Sequence, residues 1–593
     1  MKVFEESMKD TYILRDGVDS QGHFSLKYLF RKWTRLFNRI RLSPRGALHA
    51  WFKAPKLDEN DWRDIEFLKK FSDGISPPEK TKVDSKQTLV ILSFMPLPYV
   101  VKMEGVLASL LKRQGWNVKI LTNSSSEYLT RAYHDHAVGA EICLFEDFIS
   151  FSAFRGIKQA IEGLVKSSQL DVARIKEFSW KGVPVGVHAL ATYLSGTPEG
   201  RFIQSPQSLK QLSRILRRSM LHVEASNTFL EQVNPHLIIG MEKGFVGTCE
   251  IYYAALLRKI DYVQWVGCHE PDSMMLKRYY WDTRRSHPFS ICDRDWSWIR
   301  DIPWSDTYRD VVMEKFDSGY KKGEWFRYKN LTMGQGLTAP DELKHALGID
   351  KTKKTAVIYS HILSDANLFY GEDIFAHGYE EWLVETVRAA GKNIEVNWVL
   401  KLHPANKVRN LRMGYVGEYG EIQALRNTFG EVPNFLKIIY PEDKVSPLSF
   451  FQITDFGITV RGTIGIELPC LGVPVLTAGT GRYSGRGFTY DPASIEEYVG
   501  LIEAIHTIKP LTDSQIKLAI MYAYFVFKKR PAKYNEIFVD VYEQDQLHPR
   551  YRDFQCKIKS FAEIAAHPQM KAILSFLEDK SREDFISGSP VAV

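Results

Sequence analysis

Cysteine is scarce. Six residues in 593 (Cys143, Cys249, Cys268, Cys292, Cys470 and Cys556) are widely scattered and form no C-x-x-C pair. That argues against a structural zinc site and a disulfide framework, and points to a reduced cytoplasmic compartment. No run of about 18 uncharged apolar residues occurs, so no membrane span is expected. Residues 1–19 are mixed in charge and lack the apolar core of a secretory signal. Charge of one sign is also wanting: 78 Lys and Arg against 71 Asp and Glu leave a net charge of only +7. That balance suits anionic small substrates or a phospholipid surface and does not call for nucleic acid. There is no short repeat and no low-complexity tract. What is present is an ordinary globular composition, 44% hydrophobic and 25% charged, in a chain too long for one core.

Four segments follow from the patterning. Residues 1–86 read as an extension, within which 27–53 carries eight basic residues (Lys27, Arg31, Lys32, Arg35, Arg39, Arg41, Arg45, Lys53) and no acidic one. Leu29, Phe30, Trp33, Leu36, Phe37 and Ile40 recur there at helical spacing, the pattern of a helix lying in a membrane interface or packed on the next domain. Ser76-Pro77-Pro78 reads as a linker. Residues 87–335 open with the apolar run Thr88–Phe94, a parallel strand buried on both faces. A helix over 105–114 and a strand over 117–121 complete a βαβ unit. Another strand is expected at His236–Gly240 and one at Tyr262–Val266. Residues 336–510 form a second α/β series, with strands at 355–360, 396–402, 435–439, near 454–459, and at 473–477. Residues 511–593 are expected to be a helical tail. The fold class is therefore α/β: two Rossmann-like doubly wound domains facing a cleft, with an N-terminal helical extension and C-terminal helices.

Ligands of open parallel sheets bind beyond the strands' carboxyl ends, and the informative motifs lie there. Lys401-Leu402-His403-Pro404 follows a strand; Lys401 and His403 can donate to phosphate, and Pro404 fixes the turn. Arg461-Gly462-Thr463-Ile464-Gly465-Ile466-Glu467 follows another, with Thr463 placed to cap a helix whose free N–H groups suit an anion, and Glu467 placed to accept from ribose hydroxyls. An ordinary helix start with Glu467 as first-turn charge compensation gives the same pattern. The segment Gly479–Thr489 holds four glycines, Arg482, Tyr483 and Arg486, a cationic loop able to close on an anionic ligand. His361 and Asp365 follow the first strand of the second series and can transfer protons or hold phosphate; the same residues also suit a simple turn. In the first series Glu242, in Met241-Glu242-Lys243-Gly244, is a candidate general base, with Glu104 in the first strand-to-helix loop as its rival.

In this order the motifs resemble those of the capsule and surface-polysaccharide biosynthesis glycosyltransferases. The elements concerned are His361…Asp365, Glu381-Trp382-Leu383, Lys401–Ala405, Gly462–Glu467 with Gly472–Val475, and Gly479…Tyr483…Gly487-Phe488-Thr489. The family includes capsule Kdo transferases and, more distantly, polysialyltransferases and teichoic-acid polymerases that share a His-Pro motif. The likeness covers roughly residues 355–495; the first half matches only in its general βαβ pattern. It implies the GT-B architecture, with 87–335 as acceptor domain and 336–510 as nucleotide-sugar domain. It also implies donor-phosphate contacts by His403 and Thr463. Relatives often carry two hydroxyl residues where this chain has Arg461-Gly462-Thr463, and Arg461 there can add a phosphate contact.

The expected reaction is transfer of a sugar from a CMP- or UDP-linked donor to a hydroxyl of a growing glycan or glycolipid. A first-domain carboxylate would deprotonate that hydroxyl, and Lys401, His403, Arg482, Arg486 and the helix start at Thr463 would stabilise the leaving phosphate. No clear Asp-x-Asp motif is expected to hold a metal, and no cofactor beyond the donor is expected. The expected location is cytoplasmic, with contact to the inner face of the plasma membrane through residues 27–53. Three rivals use the same plan: a nucleotide-sugar 2-epimerase, a polyol-phosphate transferase of the teichoic-acid type, and a non-catalytic glycan-binding scaffold.

Overall fold

All five residues of Thr88-Leu89-Val90-Ile91-Leu92 are buried, as an apolar run flanked on both faces requires. The computed structural model describes residues 65–66, 87–95, 98–123, 126–136, 138–150, 153–165, 171–270, 272–322, 337–365, 368–443, 445–542, 551–556 and 561–588. The basic amphipathic segment 27–53 and the linker 76–78 lie outside the described residues. No described helix is long and apolar enough to cross a membrane. The described residues fall into two compact units: those up to Lys158 with Met220–His236, and Gln159–Ser219 with Leu237 onward.

The first unit holds β1 (Thr88–Leu92), β2 (Asn117–Thr122) and β3 (Glu141–Leu144), all parallel. The helix Pro98–Arg113 joins β1 to β2 and ends on Lys112 and Arg113. Cations there oppose the negative end of the helix dipole, and Lys112 Nζ also donates to the carbonyls of Val138 (3.0 Å) and Gly139 (2.8 Å).

The second unit contains two sheets. In one, β4 (Leu237–Gly240) runs parallel to β5 (Asp261–Gly267), and β5 pairs antiparallel with β6 (Ser273–Tyr279). The other comprises β7 (Lys354–Tyr359), β8 (Val396–Lys401), β9 (Leu436–Ile439), β10 (Phe456–Thr459) and β11 (Val475–Thr477). Its order is β11-β10-β7-β8-β9 and every pairing is parallel. Helices such as Tyr379–Ala390 and Ile495–Glu503 pack on it around buried Trp382, Trp398 and Tyr498. The fold is thus α/β with Rossmann-like parallel sheets.

Two features depart from the patterning. A strand that the sequence reading did not place, β6, is buried at all seven positions although it contains Lys277 and Arg278. Those charges are compensated: Lys277 pairs with Asp584 at 2.9 Å and Glu583 at 2.8 Å, and Arg278 with Asp261 at 2.7 Å. The tail is also not purely helical. Beyond the helix Asp513–Tyr524 come β12 (Ala532–Lys533), antiparallel to β6, and the hairpin of β13 (Phe538–Tyr542) and β14 (Tyr551–Cys556). Phe538, Val539, Val541 and Tyr542 are β-branched or aromatic, the residue types that favour strands. The helix Pro568–Glu578 then follows, and Arg278 donates to the carbonyls of Phe576, Leu577 and Asp579 at its end.

Candidate functional site

The second sheet winds outward from β7 in both directions, so its switch point lies between β7 and β10. His361, two residues past β7, bridges that point. Its Nε2 accepts from the amides of Val460 (3.2 Å) and Arg461 (3.4 Å) and lies 3.0 Å from Thr459 Oγ1. A nitrogen that accepts from amides carries no proton, so this network assigns the ring proton to Nδ1. Burial first, then the charges of Arg461 and His403, hold the imidazole well below its usual range, and the ring stacks on Tyr379 at 4.6 Å. His361 therefore ties the two strand ends together as a neutral group. Asp365 ends the short turn Leu363–Asp365 and is exposed.

Lys401 closes β8 with its ammonium 5.7 Å from the Phe450 ring. Desolvation lowers its pKa to about 8, against the pull of Glu467. His403 Nδ1 accepts from the amide of Ala405 at 3.2 Å, which leaves the proton on Nε2 as a donor. Its pKa is lowered by desolvation and then by Lys401, so a neutral imidazole donates here.

Glu467 is fully buried. One carboxylate oxygen accepts from the Tyr320 hydroxyl and the other, Oε1, has no hydrogen-bond partner. Burial raises its pKa, opposed by Tyr320, Thr463, Arg482 and Lys401. Thr463 precedes the helix Ile464–Cys470 but makes no side-chain cap bond. The glycines of this motif answer to packing: a Cβ on Gly465 would lie 2.0 Å from Tyr483 Oη, whose hydroxyl donates to the Gly462 carbonyl at 2.8 Å.

The expected cationic residues divide. Arg461 forms a buried ion pair with Asp373, so its charge is already compensated. Arg482 is more than nine-tenths buried. It donates from Nη1 to the Arg461 carbonyl at 3.2 Å, while Nε and Nη2 have no partner. Arg486 turns away to Asp293 at 2.6 Å and the Ile291 carbonyl at 2.8 Å. The loop that carries them is pinned at both ends of Arg482: His287 N donates to the Gly481 carbonyl and the Tyr522 hydroxyl to that of Arg482. One Asp-x-Asp does occur, Asp293-Arg294-Asp295, but it opens the helix Asp293–Arg300, with Asp293 on Arg486 and Asp295 bonded by Trp298 Nε1.

In the first sheet of this unit, Glu242 follows β4. Its Oε1 accepts from the amides of Lys243 (2.7 Å) and Gly244 (2.8 Å), and no described residue holds its second oxygen. Burial raises its pKa, the two amides and Lys243 oppose, and Asp365 adds a further rise. Lys243 itself is caged over the Tyr279 ring at 3.9 Å and donates to the Arg284 carbonyl at 2.6 Å. Phe369 packs where a side chain on Gly244 would stand, 1.9 Å from an ideal Cβ. Glu104 belongs to the first unit. It is fully buried, its oxygens lack hydrogen-bond partners, and His134 Nε2 is 3.7 Å away. Desolvation lifts its pKa to about 8, so it is protonated at neutral pH. Sequence patterning gave no sign of Tyr320, Asp373 or Phe369, each of which contacts the motifs from a distant segment.

No protein-family profile and no curated protein matches this chain. Among solved structures, the chain is similar to the β-Kdo 2,4 transferase of Thermosulfurimonas dismutans KpsC at 13% identity, covering 56% of this chain and 87% of that one, with a TM-score of 0.30. It is similar to the UDP-GlcNAc 2-epimerase of Neisseria meningitidis bound to UDP-GlcNAc at 13% identity, over 74% and 97%, with a TM-score of 0.23. For the spinosyn rhamnosyltransferase SpnG the values are 13%, 73%, 95% and 0.23.

Proposed function

We propose that this chain is a GT-B glycosyltransferase that moves a sugar from a CMP- or UDP-linked donor to a hydroxyl of a growing surface glycan. The observation that carries the reading is the group at the carboxyl ends of β7, β8 and β10. There Lys401 is a cationic donor, the Nε2–H of His403 a neutral one, and the Lys401 charge acts on Glu467, whose Oε1 has no hydrogen-bond partner. Lys401 and His403 would hold the donor phosphates and stabilise the charge that builds on the leaving oxygen. Glu467 Oε1 would accept from a ribose hydroxyl. Glu242, with one oxygen fixed by two amides, would take the acceptor's proton as the acceptor oxygen bonds to the sugar's anomeric carbon and the bond to phosphate breaks. Contact with the inner membrane through residues 27–53 belongs to the same reading.

Nucleotide-induced shifts in melting temperature test it directly. One of CMP, CDP, UDP or GDP, or a sugar conjugate, is expected to raise the melting temperature of the wild type, and His403→Ala is expected to abolish that rise. Absence of any shift in folded wild-type protein would overturn the reading.

Lys401 supplies a pH signature. Its lowered pKa of about 8 means that it is charged below that value and loses its proton as pH rises through it. The KM for the donor is therefore expected to climb above about pH 8. In Lys401→Arg, whose guanidinium stays charged, that climb should vanish. A wild-type KM flat from pH 7 to 9.5 would remove Lys401 from the phosphate site.

A further inference from the structure

A cavity of about 330 Å³ opens in the same unit between residues 280–294, the loop 481–486 and residues 581–583. None of Lys401, His403, Thr463 or Glu467 lines it. Its size is that of a small-ligand site, and its walls have a distinct chemistry. Three guanidinium groups face two carboxylates there: Arg294, Arg482 and Arg486 against Asp293 and Glu583. The carboxylates are already engaged, Asp293 with Arg486 at 2.6 Å and Glu583 with Lys277 at 2.8 Å. Arg294 reaches Asp295 at 3.6 Å. Arg482 meets no carboxylate among the described residues. It is more than nine-tenths buried, its Nε and Nη2 have no partner, and Nε of Arg486 lacks one too. Donors left unmade in a buried charged group are costly, so an arginine in this state is explained by an acceptor that arrives from outside.

The rest of the lining says what kind of acceptor. Hydroxyls of Thr283, Ser290 and Ser484 border the cavity, and Tyr280, 40% exposed, stands at its edge with Trp281, 36% exposed, next in sequence. Hydroxyl-bearing side chains, a partly exposed aromatic residue and a guanidinium with unmet donors together match a sugar that carries a carboxylate: its hydroxyls would bond to the serines, its C–H face would cover the ring, and its carboxylate would meet the arginines. We propose that this cavity is a saccharide site for an acidic sugar unit of the glycan, separate from the nucleotide site, with Arg482 in the wall between the two. The identification as a glycan subsite rests on the glycosyltransferase reading; the binding of a sugar acid does not.

Ligand-observed NMR on the full chain, with glucuronate, N-acetylneuraminate, glucose and inorganic phosphate as probes, tests the site. Saturable binding of at least one sugar acid is expected, with glucose at least about tenfold weaker. Ser484→Phe, which fills the cavity, and Arg294→Glu, which reverses a charge on its rim, should each weaken that binding by about tenfold or more. Neither residue belongs to the proposed nucleotide site, so the nucleotide melting shift and the ligand-free melting temperature should stay as in the wild type. The proposal is overturned if no sugar acid binds, if glucose or phosphate alone binds as tightly, or if both variants bind like the wild type. Sugar-acid binding that persists in a protein no nucleotide stabilises would sink the donor-site reading and leave this one standing.

Discussion

Glu242→Gln is expected to lower turnover by about 10²- to 10⁴-fold, the range for loss of a general base, with little change in the nucleotide-induced melting shift. The substitution keeps the volume and leaves a side-chain oxygen to accept from the amides of Lys243 and Gly244, which hold Oε1 in the native site. It removes only the capacity to take a proton. The wild-type pH profile should carry the same group. Burial lifts the Glu242 carboxyl above its ordinary range, with a smaller contribution from Asp365. The limb on which activity rises with pH should therefore lie above the usual carboxylate value, and Lys401 should set the falling limb near pH 8. In Glu242→Gln the rising limb should disappear. A variant that keeps wild-type turnover would move the base elsewhere.

Asp584→Asn is expected to destabilise the second unit by about 3–5 kcal/mol, the cost of breaking a buried ion pair and leaving its partner uncompensated. Asp584 is fully enclosed and meets both Lys277 and Arg530 at 2.9 Å, while its second oxygen accepts from the Cys292 amide at 2.7 Å. Arg530 in turn donates to the carbonyls of Pro288 and Leu276. Asparagine keeps the shape and drops the charge, so two buried cations would retain only Glu583 nearby. Burial works to raise the Asp584 pKa, and Arg530 with Lys277 outweighs it, leaving the carboxyl lowered. The stability it contributes is therefore present above the pKa of an unfolded aspartate and lost as pH falls through the lower folded value. Chemical denaturation of wild type and variant at neutral pH measures the difference; a change below about 1 kcal/mol would refute the assignment.

The parallel strands were legible because a strand covered on both faces must be largely apolar, as in β1 and the Ala356–Ile358 centre of β7, and because chemistry at such strands gathers past their last residue. His361, Lys401, His403 and the Arg461–Glu467 turn all stand there. Their roles were less legible because each role depends on a partner remote in sequence. Asp373 takes the charge of Arg461, Tyr320 reaches Glu467, and Thr463 makes no cap bond where local spacing implied one. Gly465 is glycine because Tyr483 fills the space a side chain would need. β6 escaped notice for a related reason: Lys277 and Arg278 mark an exposed segment unless their counter-charges are known, and most of those lie some 300 positions onward. Asp293-Arg294-Asp295 shows the converse, a familiar spelling whose residues start a helix and pair with an arginine.

That separation has a consequence for how the protein is made. Lys277 and Asp584 are 307 positions apart, and a ribosome adding about 5–20 residues per second needs roughly 15–60 s to go from one to the other. For most of that interval, until β12 is made, β6 has no partner on the edge away from β5, and its lysine stays unmatched until Glu583 and Asp584 follow. Two ribosomes on one message would place a completed tail beside another copy's waiting strand. Correct assembly then depends on the chain's own tail arriving before a neighbour's does.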